Sequence, residues 1–274
     1  MASSSSSSSS NSSPSGPSGR QGILAPLRVL FGIYAAVSFL ILGLSTLLAL
    51  LFVPGLTRRR AVARAISRAF LGSAAMPLTV RNAERIPATQ CIVVANHASY
   101  LDGVVFTAAL PARFGFVIKR EMNDVPLAGL LLRRLGSEFV ERFNRNRGAA
   151  DARRVLRNAT NGNSLVFFPE GTFTKTPGLL KFHTGAFVMA VRAGCPIVPA
   201  VVRGTRKALS PLGGLPRAAH IEITILPPLM PVISADAAAT ELRDRAREAI
   251  LRELGEPDLT CSDDTAHPRD RARG

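Results

Sequence analysis

From Val29 to Val53 the chain carries 25 consecutive residues without a charge, rich in Leu, Val, Ile and Phe. As a helix at about 1.5 Å per residue the run extends roughly 37 Å, enough to cross the hydrocarbon core of a bilayer. A soluble domain cut from the rest of 274 residues seldom hides so long an apolar helix, so the run predicts a membrane-associated segment. Residues 1 to 80 contain no Asp or Glu and seven Arg, five of which (Arg58, Arg59, Arg60, Arg64 and Arg68) follow the run directly. That bias predicts attachment to the inner, cytoplasmic membrane with the following domain facing the cytoplasm. The run is longer than the apolar stretch of a usual signal peptide and ends on three arginines, which argues against cleavage. Gly32, Gly43 and Ser45 permit a bend, so a spanning helix and a re-entrant one both fit.

Composition divides the rest. Twelve of the first twenty residues are Ser, with Pro14, Gly16, Pro17 and Gly19 among them, which predicts a disordered Ser-rich tail over residues 1–22. Residues 23–78 then form a membrane-anchoring and interfacial helical segment. Within it, residues 59 to 72 set Val62, Ala65, Ile66 and Phe70 to one side and Arg60, Arg64 and Arg68 to another. An interfacial helix presented to anionic headgroups has this pattern, and so does an ordinary surface helix with solvated arginines. Polar and charged residues beyond Glu256, with Pro257 and Pro268, predict a second disordered tail over 256–274.

From Thr79 strand-like and helix-like segments alternate, the mark of an α/β domain, here over residues 79–255. Candidate strands are Cys91 to Ala95, Phe114 to Lys119, Phe139 to Val140, Ser164 to Phe168, Ile197 to Arg203 and His220 to Leu226. Helices are expected over residues 101 to 110, 124 to 135, 147 to 160, 181 to 193 and 236 to 254. Short apolar strands with little alternation imply a sheet covered on both faces.

Charge narrows the partners. Lys plus Arg exceed Asp plus Glu by 34 − 19 = 15, which points to phosphorylated metabolites, a lipid surface or nucleic acid. With no Trp and only two Tyr the chain lacks stacking residues, and nucleic acid falls to last place. Cys91, Cys195 and Cys261 are widely spaced, with no Cys-x-x-Cys or Cys/His cluster for structural zinc and no disulfide framework. No paired carboxylates or His-rich cage stand at ligand spacing, so no metal is expected.

Chemistry-bearing residues gather after the expected strands. Asn96-His97-Ala98-Ser99-Tyr100-Leu101-Asp102 follows the strand ending at Ala95, where α/β folds build their sites. A His followed five positions later by an Asp can have its imidazole oriented by the carboxylate while the other ring nitrogen faces a hydroxyl, which makes a general base. Taken alone, the pair also fits a capping Asp beside a satisfied polar His. Lys119-Arg120-Glu121 ends another strand, and Gly136-Ser137-Glu138-Phe139-Val140-Glu141-Arg142 runs into a third. Phe167-Phe168-Pro169-Glu170-Gly171-Thr172 takes a buried strand into a turn whose N–H groups and Thr172 hydroxyl suit a phosphate. Ile197-Val198-Pro199-Ala200 is an apolar strand. Cys91 and Cys195 sit in apolar strand settings and read as buried thiols, not nucleophiles. His220 and His267 have no recognisable setting.

In this order and spacing the segments resemble the phospholipid and glycerol acyltransferase family, typified by bacterial lysophosphatidic acid acyltransferases. The resemblance covers about residues 79 to 203. The family's Asn-His-x(4)-Asp block is matched from Asn96 to Asp102, and its Gly-x-x-Phe-x-x-Arg block by Gly136, Phe139 and Arg142. Its Phe-Pro-Glu-Gly-Thr-Arg-Ser block is matched from Phe168 to Thr172 and departs at Phe173 and Thr174; its Val-Pro pair is Val198 and Pro199. The resemblance implies a mixed, largely parallel sheet covered by helices on both faces, with the membrane-associated helical segment in front.

It further implies that His97 deprotonates an acceptor hydroxyl that attacks an acyl thioester, while Asp102 steadies the imidazole. Asn96, Lys119, Gly136, Arg142, Glu170, Gly171, Thr172, Lys175 and His183 are the expected substrate-binding residues. The donor would be acyl-CoA or acyl carrier protein, a substrate and not a cofactor, and no cofactor is expected. The acceptor would be a membrane lysophospholipid, most simply 1-acylglycerol-3-phosphate, giving phosphatidic acid, at an anionic membrane surface. Phe173 stands where the family commonly has a guanidinium, with Lys175 two residues on, and His183 stands where a Lys is common. Those departures open a second acceptor class, such as lyso-ornithine lipid. A noncatalytic module that binds anionic membranes is the contrasting expectation.

Overall fold

Local hydrophobicity places the strands, and pairing gathers them into one sheet. The computed structural model describes residues 18–141, 157, 162–210, 214–231 and 238–260. Its strands are β1 (Leu78–Arg81), β2 (Ile92–Ala95), β3 (Phe114–Lys119), β4 (Glu138–Val140), β5 (Ser164–Phe167), β6 (Ile197–Arg203) and β7 (Ile221–Ile225). They lie in the order β1-β7-β6-β2-β5-β3-β4. From β6 through β4 every neighbouring pair is parallel, whereas β7 runs antiparallel to β6 and parallel to β1. The sheet is therefore mixed and largely parallel. β1 is a strand that the apolar pattern alone does not reveal, because its residues alternate between half-buried and exposed at the sheet's edge.

Besides a one-turn helix at Thr205–Ala208, the described residues form six longer helices: α1 (Ser18–Phe52), α2 (Leu56–Ser73), α3 (Asp102–Ala109), α4 (Ala128–Arg134), α5 (Gly185–Ala193) and, after the last strand, α6 (Ala238–Leu254). Alternate residues of the central strands feed two cores. Val93, Ala95, Val166, Val198 and Ala200 pack with Phe70 and Leu71 of α2 and with Val105 and Phe106 of α3. Ile92, Val94, Leu165, Phe167 and Ile197 pack with Phe187 and Ala190 of α5 and with Leu242, Ala246 and Ile250 of α6. Both faces are covered, which is why β2 and β5 are buried at every position.

Several expected boundaries move. The helix expected from 124 starts at Ala128, because Pro126 and a left-handed Leu127 (φ 60°) come first. The helix expected over 147 to 160 lies outside the described residues. So does most of the Ser-rich tail, although α1 already begins at Ser18, inside the stretch expected to be disordered. The apolar run continues its helix back into the polar residues, since extending a helix is cheaper than starting one. The tail expected from 256 is docked as far as Thr260. Glu256 accepts from the Gly178 N–H at 2.6 Å, Asp258 pairs with Arg247 at 2.6 Å, and Leu179 donates its N–H to Pro257 O at 2.9 Å. Arg247 and the Thr260 hydroxyl hold the Asp258 carboxyl well below the usual carboxylate range. Composition counts those residues as polar but cannot say that each has a partner waiting.

α1 has two different long faces. Ala35, Thr46, Leu47 and Leu50 are buried, and Phe31 and Leu42 pack on the first core. The opposite side exposes Leu30, Leu40, Leu44, Leu48 and Phe52. Docking is close: a Cβ on Gly32 would fall 2.5 Å from the Cβ of Leu215.

Arg60, Arg64 and Arg68 of α2 correct both readings of that segment, since each is tied to backbone carbonyls of the domain, although Arg68 keeps exposed surface. Arg60 donates to the carbonyls of Leu135 (2.9 Å), Arg113 (2.9 Å) and Gly136 (3.2 Å). Arg68 donates to Ala108 O at 2.8 Å and Arg64 to Ala109 O at 3.5 Å. The last carbonyls of α3 have no helical partner, and the guanidinium groups satisfy them at the negative end of that helix. Arg60→Ala strands three carbonyls and is expected to lower unfolding free energy by roughly 2–4 kcal/mol. Arg60→Lys should not restore it, because an ammonium cannot reproduce the fork. Denaturant unfolding of the detergent-solubilised protein measures both.

Candidate active site

The register of β2 on β5 sets up the site. Ile92 pairs with Leu165 and Val94 with Phe167, and the same offset carried past the strand ends brings His97 beside Glu170. The His97 N–H donates to Glu170 Oε1 at 2.6 Å, and the Leu180 N–H donates to Oε2 at 2.8 Å. His97, the turn at 168–172 and the end of β3 thus share the carboxyl edge of the parallel strands, where open α/β sheets form clefts.

The expected pair is formed. His97 Nδ1 lies 2.7 Å from Asp102 Oδ2, and the N–H groups of Ala98 (2.7 Å) and Ser99 (2.9 Å) donate to the same oxygen. Asp102 is fully buried and its Oδ1 has no partner among the described residues. A carboxylate oxygen facing three N–H groups accepts, so the imidazole proton sits on Nδ1 and the lone pair on Nε2. Nε2 has no protein partner among the described residues, and the side chain keeps 20% of its surface exposed. Aromatic rings hold it from both sides. Phe168 stacks on the imidazole at 4.5 Å between centroids, and Phe173 meets it edge-on at 4.6 Å. Tyr100 in turn meets Phe173 edge-on at 4.8 Å. The Ser99 hydroxyl anchors the loop by donating to Leu209 O at 2.8 Å. This base-orienter geometry suits proton abstraction from a hydroxyl at Nε2. The side-by-side packing of Tyr100 and Phe173 is what sequence reading missed, although both residues lie inside or next to the motifs.

Three expected substrate-binding residues serve the fold instead. Asn96 is buried and bridges to β6, its amide donating to Val202 O at 3.0 Å and its carbonyl accepting from the Val202 N–H at 2.8 Å. Gly136 gives its carbonyl to Arg60 and adopts φ 65°, which favours glycine. Glu170 is only 5% exposed and has both oxygens committed to backbone N–H groups. Burial pushes its carboxyl up to about 7, against the opposing pull of those two N–H groups. In each case a polar group near a strand end is taken up by a protein partner, which spacing alone does not reveal.

The remaining candidates divide by position. Gly171 makes the turn with φ 75° and donates its N–H to Phe168 O at 3.0 Å. Lys119, Thr172, Lys175 and His183 are exposed, with the His183 N–H donating to Pro169 O at 2.9 Å. Arg142 lies outside the described residues. Cys91 and Cys195 are buried free thiols, and burial pushes Cys91 up to about 11, too high for a thiolate nucleophile. Among the described residues no group of three His, Cys, Asp or Glu could hold a metal ion.

Residues 77–203 match the family model described as Acyltransferase. A lyso-ornithine lipid O-acyltransferase of Pseudomonas aeruginosa is 30% identical over 199 residues, covering 65% of this chain and 72% of that relative. The chain belongs to the acyltransferase family. Within the family it is also similar to a 1-acyl-sn-glycerol-3-phosphate acyltransferase of Haemophilus influenzae, 33% identical over 132 residues, covering 46% of this chain and 55% of the relative. A chloroplastic 1-acyl-sn-glycerol-3-phosphate acyltransferase of Brassica napus is 29% identical over 175 residues, covering 62% and 50%. The chain therefore spans about half the length of these two relatives. The acyltransferase fold is shared with the solved 1-acyl-sn-glycerophosphate acyltransferase PlsC of Thermotoga maritima. That match has a TM-score of 0.68 at 22% identity and covers 86% of this chain and 96% of the other.

Asp102→Asn tests the tautomer directly. The Ala98 and Ser99 N–H groups require the amide oxygen in that place, so the imidazole proton should stay on Nδ1 and the lone pair on Nε2. Nitrogen-15 spectra of labelled histidine in the two proteins report where the proton sits, and a proton on Nε2 in the variant would show that the ring is not held through this oxygen.

Proposed function

We propose that this family member is a membrane-bound O-acyltransferase that moves a fatty acyl group from a thioester donor to the free hydroxyl of a lysolipid. The observation that carries the reading is the His97–Asp102 pair at the strand edge, with Nδ1 committed and Nε2 without a partner among the described residues. Nε2 takes the hydroxyl proton as the oxygen attacks the thioester carbonyl; the tetrahedral adduct then collapses, breaking the carbon–sulfur bond. The imidazolium returns the proton to the departing thiolate, so atoms and charge balance without an acyl-enzyme. A thioester is already activated, and the protein's main task is to hold two substrates in line. Acyl-CoA and acyl carrier protein both supply such a thioester.

The acceptor most simply consistent with the relatives' names is 1-acylglycerol-3-phosphate, with phosphatidic acid as product. The exposed cations Lys119 and Lys175, with the exposed Thr172 and His183, suit its phosphate. One observation favours a second acceptor. Phe173 puts an aromatic edge against His97 where a guanidinium would otherwise stand, and so offers the neighbourhood of the hydroxyl no phosphate fork. A phosphate-free acceptor such as lyso-ornithine lipid, the substrate class in the name of the Pseudomonas relative, fits that wall.

We further propose that α1 lies along the membrane and does not cross it. Pro26–Phe52 is long and apolar enough to span, with 22% of its most apolar window buried. Yet it is docked from Phe31 to Leu50 on the domain, and a helix held along its length cannot stand across a bilayer while the domain stays in water. Its exposed leucines then enter the acyl layer. The arginine excess around the apolar run supports the cytoplasmic side of the inner membrane and an anionic surface, with Arg58 exposed and available to headgroups.

His97→Ala should abolish acyl transfer while leaving membrane association and thermal unfolding unchanged; unchanged turnover would instead favour a noncatalytic membrane-binding module. A panel of lysolipids with a labelled acyl thioester, read by mass spectrometry, decides the acceptor. Phe173→Arg is expected to raise turnover of phosphate-bearing acceptors relative to phosphate-free ones by roughly 10- to 100-fold, the worth of one charged hydrogen bond.

A further inference from the structure

We propose that Glu170 is a positioning residue for the base: by bridging the His97 and Leu180 N–H groups it holds the main chain of the base in the place where Nε2 meets the acceptor hydroxyl. The inference rests on the reading of His97 as general base and goes beyond it, because Glu170 acts through another residue and touches no substrate. Its carboxylate is 5% exposed and its two oxygens each take one N–H, from segments on opposite sides of the β5 exit. Asp102 fixes the ring of His97 and Glu170 fixes its backbone. With both held, the imidazole is defined in position and orientation before any substrate arrives.

The bridge is strongest for the carboxylate. A protonated carboxyl keeps one strongly accepting carbonyl oxygen, while its hydroxyl oxygen is a much poorer acceptor for the second N–H group. One of the two bonds is then weakened. The charged groups that face Glu170 are Asp102, which disfavours its ionisation, and Arg206, which favours it. Arg206 also leans on Glu256 at 3.4 Å and has two buried nitrogens without a partner among the described residues. Burial puts the titration near 7, inside the range where an acyltransferase would be assayed.

The test uses full-length protein in detergent with a labelled acyl thioester and the acceptor that turns over fastest in the lysolipid panel. Glu170→Gln preserves volume and supplies one acceptor where two are needed. It is expected to lower kcat by roughly 10- to 100-fold with the acceptor KM unchanged, the cost of a slightly misplaced catalytic group. The kcat profile of the wild type should carry a step near 7 from Glu170 that is missing in the variant. A second readout needs no variant: the Leu180 amide resonance, bonded to the oxygen that His97 does not touch, should titrate with a midpoint near 7. A raised acceptor KM at unchanged kcat makes Glu170 a substrate ligand and overturns the proposal, as does a Leu180 amide that stays fixed through that range. Wild-type protein that transfers no acyl group overturns the reading of His97 beneath it, an outcome separate from an active wild type with an equally active Glu170→Gln.

Discussion

The parallel pairing of β2 with β5 is the contact on which the site depends. It joins two short apolar strands that are buried at every position, so its register cannot slip by one residue without turning core side chains onto the wrong face. Carried past the strand ends, that register sets His97 against Glu170 and brings the ring of Phe168 flat onto the imidazole. β6 secures the other side, since Asn96 exchanges both of its amide hydrogen bonds with Val202. The loop that carries His97 is therefore tied to strands on both flanks.

Two buried carboxylates divide the work of holding one histidine. Asp102 takes the ring N–H together with two backbone N–H groups on a single oxygen, a cluster that only an accepting oxygen can satisfy. Glu170 has one N–H for each oxygen and a neighbouring carboxylate, which is why desolvation wins there and lifts its titration. Buried carboxylates are costly unless their oxygens are met by donors, and each of these is met by backbone that it also fixes in place.

The N-terminal helices obey a similar logic of unsatisfied groups. α2 is held by Arg60, Arg64 and Arg68, which reach across to the carbonyls at the end of α3 and before β4, so these three cations serve the fold. α1 is held by packing on one face and leaves the other apolar face uncovered by protein. A helix tied to the domain by charge thus lies against a helix that shows an apolar face.

Much of this was legible in the residues. The apolar run, the α/β alternation and the order of the motif blocks give the helix, the sheet with both faces covered and the position of His97 and Asp102, because each depends on neighbours a few positions apart. What stayed hidden depends on distant partners. Asn96, Gly136 and Glu170 look like ligands for a substrate until Val202, Arg60 and Leu180 are brought beside them, and Arg60, Arg64 and Arg68 look like a lipid-facing stripe until α3 supplies its carbonyls. Sequence by itself determined where the histidine–aspartate pair stands, since a histidine and an aspartate at that spacing after a strand need only local geometry to meet. Only the tertiary structure decided which polar groups remain available to a ligand, because a hydrogen bond is claimed by whichever partner the fold brings within about 3 Å.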